Sequence, residues 1–138
     1  MRLATLVSPL VPANDVTAHA RDPRIARALE AMARAPEEAW TVARLAKIAA
    51  LSRAAFARRF LAEVGTPPLT HLAALRMKLA AGLLLTSERS LAEIAALVGY
   101  ANEFALSRAF HRRVGARPGS FRRQARSTST FAPRCRAA

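Results

Sequence analysis

The sequence predicts an all-α fold of about seven helices, grouped as two similar units joined by a longer helix. Three observations carry that expectation. The 138 residues are dominated by Ala and Leu, which like Arg and Glu favour helices, and are thin in the β-branched and aromatic residues that favour strands. Helix start and stop signals recur at intervals that suit short helices. The pattern of one half returns in the other at an offset of 50 residues. A chain of this length holds one domain with a real core, not two large ones.

Residues 1–21 read as a flexible leader or the remnant of a preceding domain. The apolar run from Leu3 to Val11, with Ala18-His19-Ala20 behind it, imitates a secretory signal; Pro9 and Pro12 interrupt it and Asn14-Asp15 follow. The expected location is therefore cytoplasmic. Asp22-Pro23 is an N-cap followed by proline at the first helical position, so a helix starts there. Ile25, Leu29 and Met32 recur at helical spacing until Pro36 ends the run. Thr41 caps a second helix carrying Val42, Leu45 and Ala46 inward, and after Ala50-Leu51-Ser52 a third runs from Arg53 to Val64. Gly65 and Pro67-Pro68 stop it. A long helix from about Leu69 to Leu85 sets Leu72, Leu75, Leu79 and Leu83 along one side. Ser90 and Glu93 form a capping box for a helix that stops at Gly99. A turn through Ala101-Asn102 leads to a helix over Glu103–Val114, and Pro118 begins a short last helix holding Phe121. Residues 126–138 read as a disordered basic tail, leaving 22–125 as the folded domain.

The repeat explains this order. Phe56-Ala57-Arg58-Arg59-Phe60 with Val64-Gly65 and Pro68 matches Leu106-Ser107-Arg108-Ala109-Phe110 with Val114-Gly115 and Pro118. Upstream, Leu45-Ala46 and Ala50 match Ile94-Ala95 and Gly99 at an offset of 49, so the extra residue falls in the turn. Each copy is a short helix, a tight turn and a longer helix, which is the helix-turn-helix arrangement. Ala46 and Ala95 supply the small side chain needed where the two helices cross. Gly99 suits a turn with positive φ, whereas Ala50 in its place predicts a strained or different turn. Phe56, Phe60 and Val64 share a core face, as do Leu106, Phe110 and Val114; Arg58 and Arg108 point the other way.

Lys and Arg outnumber Asp and Glu by 22 to 9, a net charge of +13. Residues 104–138 hold nine arginines and no acid. Such an excess points to a polyanionic partner, and Arg forks match phosphate and guanine bidentately. Small residues around Arg58, at Ala54, Ala55, Ala57 and Ala62, would let that helix sink into a groove. An enzyme is not expected: His19, His71 and His111 lack metal-ligand spacing, and no nucleophile is paired with a base. Neither a metal nor a cofactor is implied, and a single cysteine, Cys135, builds no disulfide framework. No apolar stretch approaches the roughly 20 residues of a membrane span, so no membrane partner is expected.

These residues resemble the AraC/XylS family of bacterial transcription regulators over about Asp22 to Arg123. The likeness rests on the paired units and on Arg76-Met77 with Ala80-Ala81 in the connecting helix. It extends through Ile94-Ala95, Gly99-Tyr100 and Ser107-Arg108-Ala109-Phe110 to Gly115-Ala116-Arg117-Pro118 and Phe121-Arg122-Arg123. The resemblance implies two homeodomain-like units whose second helices, about 53–64 and 103–114, enter adjacent major-groove segments of double-stranded DNA. The family's base-reading positions fall on Ala54, Ala57 and Arg58 in the first unit, and on Glu103, Phe104, Ser107 and Arg108 in the second. Arg53, Arg59, Arg112 and Arg113 are expected at phosphates, with the backbone behind Thr41 and Ser90 adding anion contacts. RNA polymerase is a candidate second partner. Family members often carry a sensor domain ahead of this region; only about 20 residues precede the first helix here. The expectation is a truncated regulator, a stand-alone binder or a piece of a longer protein, with a monomer plausible. The rival reading is a sequence-blind architectural nucleic-acid binder driven by the basic C-terminal third.

Overall fold

Capping chemistry sets where the helices begin. In a computed structural model describing residues 20–137, with side chains described as far as Ser127, seven helices account for the regular structure. Asp22 accepts from the Arg24 N–H at the start of α1, Pro23–Arg34. Thr41 accepts from the Arg44 N–H to open α2, Val42–Ala49, and Ser52 from the Ala55 N–H to open α3, Arg53–Val64. The long α4, Pro68–Thr86, starts on Pro67-Pro68 without a side-chain cap. Ser90 and Glu93 close a reciprocal capping box on α5, Leu91–Val98, with bonds of 2.9 and 3.1 Å. Asn102 caps α6, Glu103–Val114, and α7 is Pro118–Ala137. Trp40 donates from Nε1 to the Ala35 carbonyl at 2.8 Å, occupying an acceptor at the C-terminal end of α1.

The first unit is α1–α3 and the second α5–α7, with α4 between them. Ile25, Leu29, Met32, Leu45, Phe56 and Phe60 fill the first core; Ile94, Val98, Leu106 and Phe110 fill the second. Phe110 meets Phe121 of α7 edge-on at 5.3 Å. Ala46 and Ala95 are buried at the helix crossings, as their size requires.

Four sequence expectations are corrected. The long helix does not bury a single leucine stripe: Met77, Ala80, Gly82 and Leu84 are buried as well, because helices from both units pack around it. By length and composition this 19-residue helix could cross a membrane, contrary to the expectation that no stretch would; burial inside the fold identifies it as a core helix. Val114, expected in the core, is 43% exposed at the end of α6, whereas its counterpart Val64 is half-buried against the first core. The last helix does not stop soon after Phe121 but continues to Ala137. Arg122 anchors its first turns to α4. The expected leader lies largely outside the described residues.

The turn of the first unit is strained as expected. Ala50 sits at φ 58°, ψ 42°, in the left-handed region, where the second unit has Gly99 at φ 105°. A Cβ in that region costs about 1–2 kcal/mol, offset in part by the greater freedom glycine has in the unfolded chain. Ala50→Gly is therefore expected to stabilise the domain by about 0.5–1 kcal/mol, read as a higher urea midpoint at unchanged m. A lower midpoint would contradict the strain.

The α3–α4 joint carries a titratable ring. His71 packs edge-on against Phe60 at 5.7 Å. Burial lowers its pKa below the ordinary 6.5, and the nearby Lys78 lowers it further. Protonation thus favours the unfolded chain, so His71 is neutral to stability well above pH 6.5 and destabilises the fold as pH drops below it. The melting temperature should fall between pH 7.5 and 5.5, and fall less in His71→Phe; equal slopes would contradict the assignment.

Candidate nucleic-acid interface

The second helix of each unit is held from behind and open in front. In the first unit, Asp22 caps α1, binds the Arg24 guanidinium at 2.9 and 3.0 Å, and meets Arg59 Nε of α3 at 3.3 Å. Its backbone N–H donates to Glu63 Oε1 at 3.1 Å. The Arg24 side chain and N–H, aided by the charge of Arg59, hold the Asp22 carboxyl at about 2, below its ordinary 3.8. This knot ties the inner edge of α3 to the start of α1. Arg59, expected at a phosphate, is thereby engaged within the fold.

Arg58 and Arg108 occupy equivalent places on α3 and α6, both exposed, and neither makes a hydrogen bond or ion pair among the described residues. Each borders a hollow. A cavity of about 390 Å³ beside α3 is lined by Arg24, Leu51, Ala55, Arg58, Arg59 and Ala62. One of about 240 Å³ beside α6 is lined by Phe104, Ser107, Arg108, His111 and Arg117. Ala54 is exposed and Ala57 half-buried, so the first unit offers no polar side chain at those two positions. Phe104 does not fold back into the core: it is 66% exposed, one turn before Arg108. Ser107 is half-buried between them. Glu103 is half-buried in the first turn of α6, where its charge also suits the helix N-terminus.

The expected backbone-contacting residues divide. Arg53 and Arg112 are exposed and make no hydrogen bond or ion pair among the described residues. Arg113 reaches the Thr70 carbonyl of α4 at 3.4 Å. At the start of α2 the Thr41 hydroxyl takes one N–H and no acid lies in the first turn. At the start of α5 the Glu93 carboxylate takes the Ser90 N–H, which places a negative charge where an anion would approach. Among the described residues, part of the basic C-terminal third is engaged internally. Arg122 donates to the Leu84 and Ser87 carbonyls at 3.1 and 3.0 Å, closing the end of α4, and Arg126 pairs with Glu88.

Arg24 and Arg117 border these hollows but were not singled out from sequence. Arg24 lies outside the repeat, and Arg117 matches Pro67 at the 50-residue offset, so the repeat gave neither a counterpart. Arg117's only signal was its place in the Gly115-Ala116-Arg117-Pro118 motif.

Two helix-turn-helix units on a shared central helix, each turning outward from its second helix an arginine with no partner among the described residues, define a double helix-turn-helix domain. Residues 45–124 match the helix-turn-helix domain family. Over 102 residues the chain is 48% identical to a protein named as an AraC-like transcription regulator of Streptomyces lividans, covering 74% of this chain and 34% of that protein. It is 40% identical over 104 residues to the transcriptional activator RclR of Escherichia coli, covering 75% and 37%. The fold superposes on the DNA-binding domain of AdpA, solved in complex with a target DNA, with a TM-score of 0.74 and 32% identity over 76% of this chain and 95% of that one. The chain belongs to the AraC/XylS-type helix-turn-helix family. It spans about a third of the length of the curated relatives it matches.

Proposed function

We propose that this chain is the DNA-reading part of a sequence-specific transcription regulator acting in the cytoplasm, on nucleoid DNA, and that α3 and α6 enter successive major-groove segments on one side of the duplex. The observation that carries this is the pair of exposed arginines at equivalent positions, without a partner among the described residues and each beside a hollow. Arg58 and Arg108 would each grip guanine O6 and N7, with Ala54, Ala57 and Phe104 offering apolar contact, Ser107 a hydroxyl, and Glu103 an acceptor for a cytosine amino group. Arg53 and Arg112 would hold phosphates; Arg59, Arg113 and the helix starts at Thr41 and Ser90 would add to them where their internal bonds leave capacity. RNA polymerase is the protein partner such a regulator would meet. Arg122 is committed to the Leu84 and Ser87 carbonyls and so is withdrawn from a sequence-blind contact.

Titrating labelled duplexes at rising salt tests the proposal. Arg112→Ala should weaken binding to every sequence alike and reduce the salt slope by about 1. Arg58→Ala should instead flatten base preference in one block. If both variants weaken all sequences equally, the chain reads backbone alone.

A further inference from the structure

The two units and the linker meet at one side chain. Arg76 of α4 donates from Nε to the Pro36 carbonyl at 2.9 Å and from Nη2 to the Glu38 carbonyl at 2.8 Å, both in the α1–α2 loop of the first unit. Its guanidinium also lies 5.6 Å from the ring centre of Tyr100, in the turn of the second unit. That turn is in direct contact with the first unit: a Cβ on Gly99 would lie 2.7 Å from the Pro36 carbonyl oxygen and from Arg76 Nε and Cζ. The linker otherwise packs mainly with the second unit, through α5, α7 and α6, and meets the first chiefly through α3.

We infer that Arg76 is a positioning residue that fixes the setting of one reading helix relative to the other, so that the domain reads two DNA blocks at one separation. This rests on the two-block reading proposed above. Three bonding features on one planar group, from both units, resist rotation about the linker in a way that a single apolar contact would not. The leverage is large. If the reading helices span successive groove segments roughly 34 Å apart, a tilt of about 10° at a joint midway moves each by about 3 Å, close to one base step. A rigid joint makes the second block's binding effectively intramolecular at one spacing only; a loose joint spreads that advantage over several spacings.

The test uses the full chain with Cys135→Ser, carrying spin labels at Glu30→Cys in α1 and Ala92→Cys in α5, with Arg76 intact or changed to Met. Arg76→Lys, which keeps the charge and can reach only one carbonyl well, serves as the second variant should Arg76→Met fail to fold. Without DNA, the label-to-label distance distribution should be narrow in the parent and broad in the variants. An unchanged distribution in a folded variant overturns the inference. With DNA, inserting one base pair between the blocks should weaken the parent roughly tenfold and a folded variant by less than about threefold. Single-block binding should stay within about twofold, which plain destabilisation would not spare. If all spacings weaken equally, Arg76 only stabilises the fold and the inference falls. If the parent shows no base preference, the two-block reading fails, while the label distances still decide the role of Arg76.

Discussion

Gly99→Ala is expected to lower stability by about 2–5 kcal/mol, the sum of a backbone cost and an overpacking cost. The backbone cost comes from φ at 105°, which disfavours any Cβ and amounts to about 1–2 kcal/mol. The overpacking cost arises because the added methyl would meet Arg76 and the Pro36 carbonyl at 2.7 Å, well inside contact distance. The Arg76 head is flexible in principle, yet it is held by two carbonyls, and Pro36 O is backbone. Gly65 and Gly115 supply matched controls. They stand at φ 96° and 90° with nothing within 4 Å of an added Cβ. Their alanine variants should lose only the backbone share, about 1–2 kcal/mol. Thermal melts of the three variants check this, with Gly99→Ala falling at least about 10 °C. Equal losses at all three positions would mean that the two units do not approach closely at Gly99.

The second large effect is expected on binding. Arg108→Ala should weaken a cognate duplex by about 1–3 kcal/mol, roughly 5- to 150-fold, and release the preference for guanine at one position. Arg58→Ala should cost a comparable amount and leave its block with almost no preference, because Ala54 and Ala57 beside it carry no polar reader. The second unit keeps Phe104 and Ser107 when Arg108 is lost, so its block should retain a residual preference. The two positions lie in separate units with no shared partner, so the double variant should show near-additive losses. Anisotropy titrations against a cognate duplex and its single-base variants measure both quantities. A loss that is the same for every base at every position would assign both arginines to phosphate.

The helices were legible because their punctuation is local. Asp22-Pro23, Thr41, the Ser90/Glu93 box and the glycines at 65, 99 and 115 act within a turn of themselves, and each sits where it was expected. The outward placement of Arg58 and Arg108 was legible too, since a repeat of 50 residues puts them in the same register of the same kind of helix. What escaped is tertiary. Nothing in the spacing of Arg59 reveals Asp22, 37 positions away, as its partner, and nothing marks Arg122 as a cap for α4. Arg76 was noted only as a motif residue; its role depends on Pro36 and Glu38, 40 and 38 residues upstream, coming to lie beside it. The burial of α4 on several sides was hidden for the same reason. A helix surrounded by both units loses the one-sided periodicity that sequence reading relies on.

The most direct measurement is a selection of random duplexes by the purified chain at near-physiological salt, repeated with Arg108→Ala. The account predicts two enriched blocks about one helical turn apart, one of them losing its guanine preference in the variant. No enriched sequence, with binding that simply fades as salt rises, would contradict it.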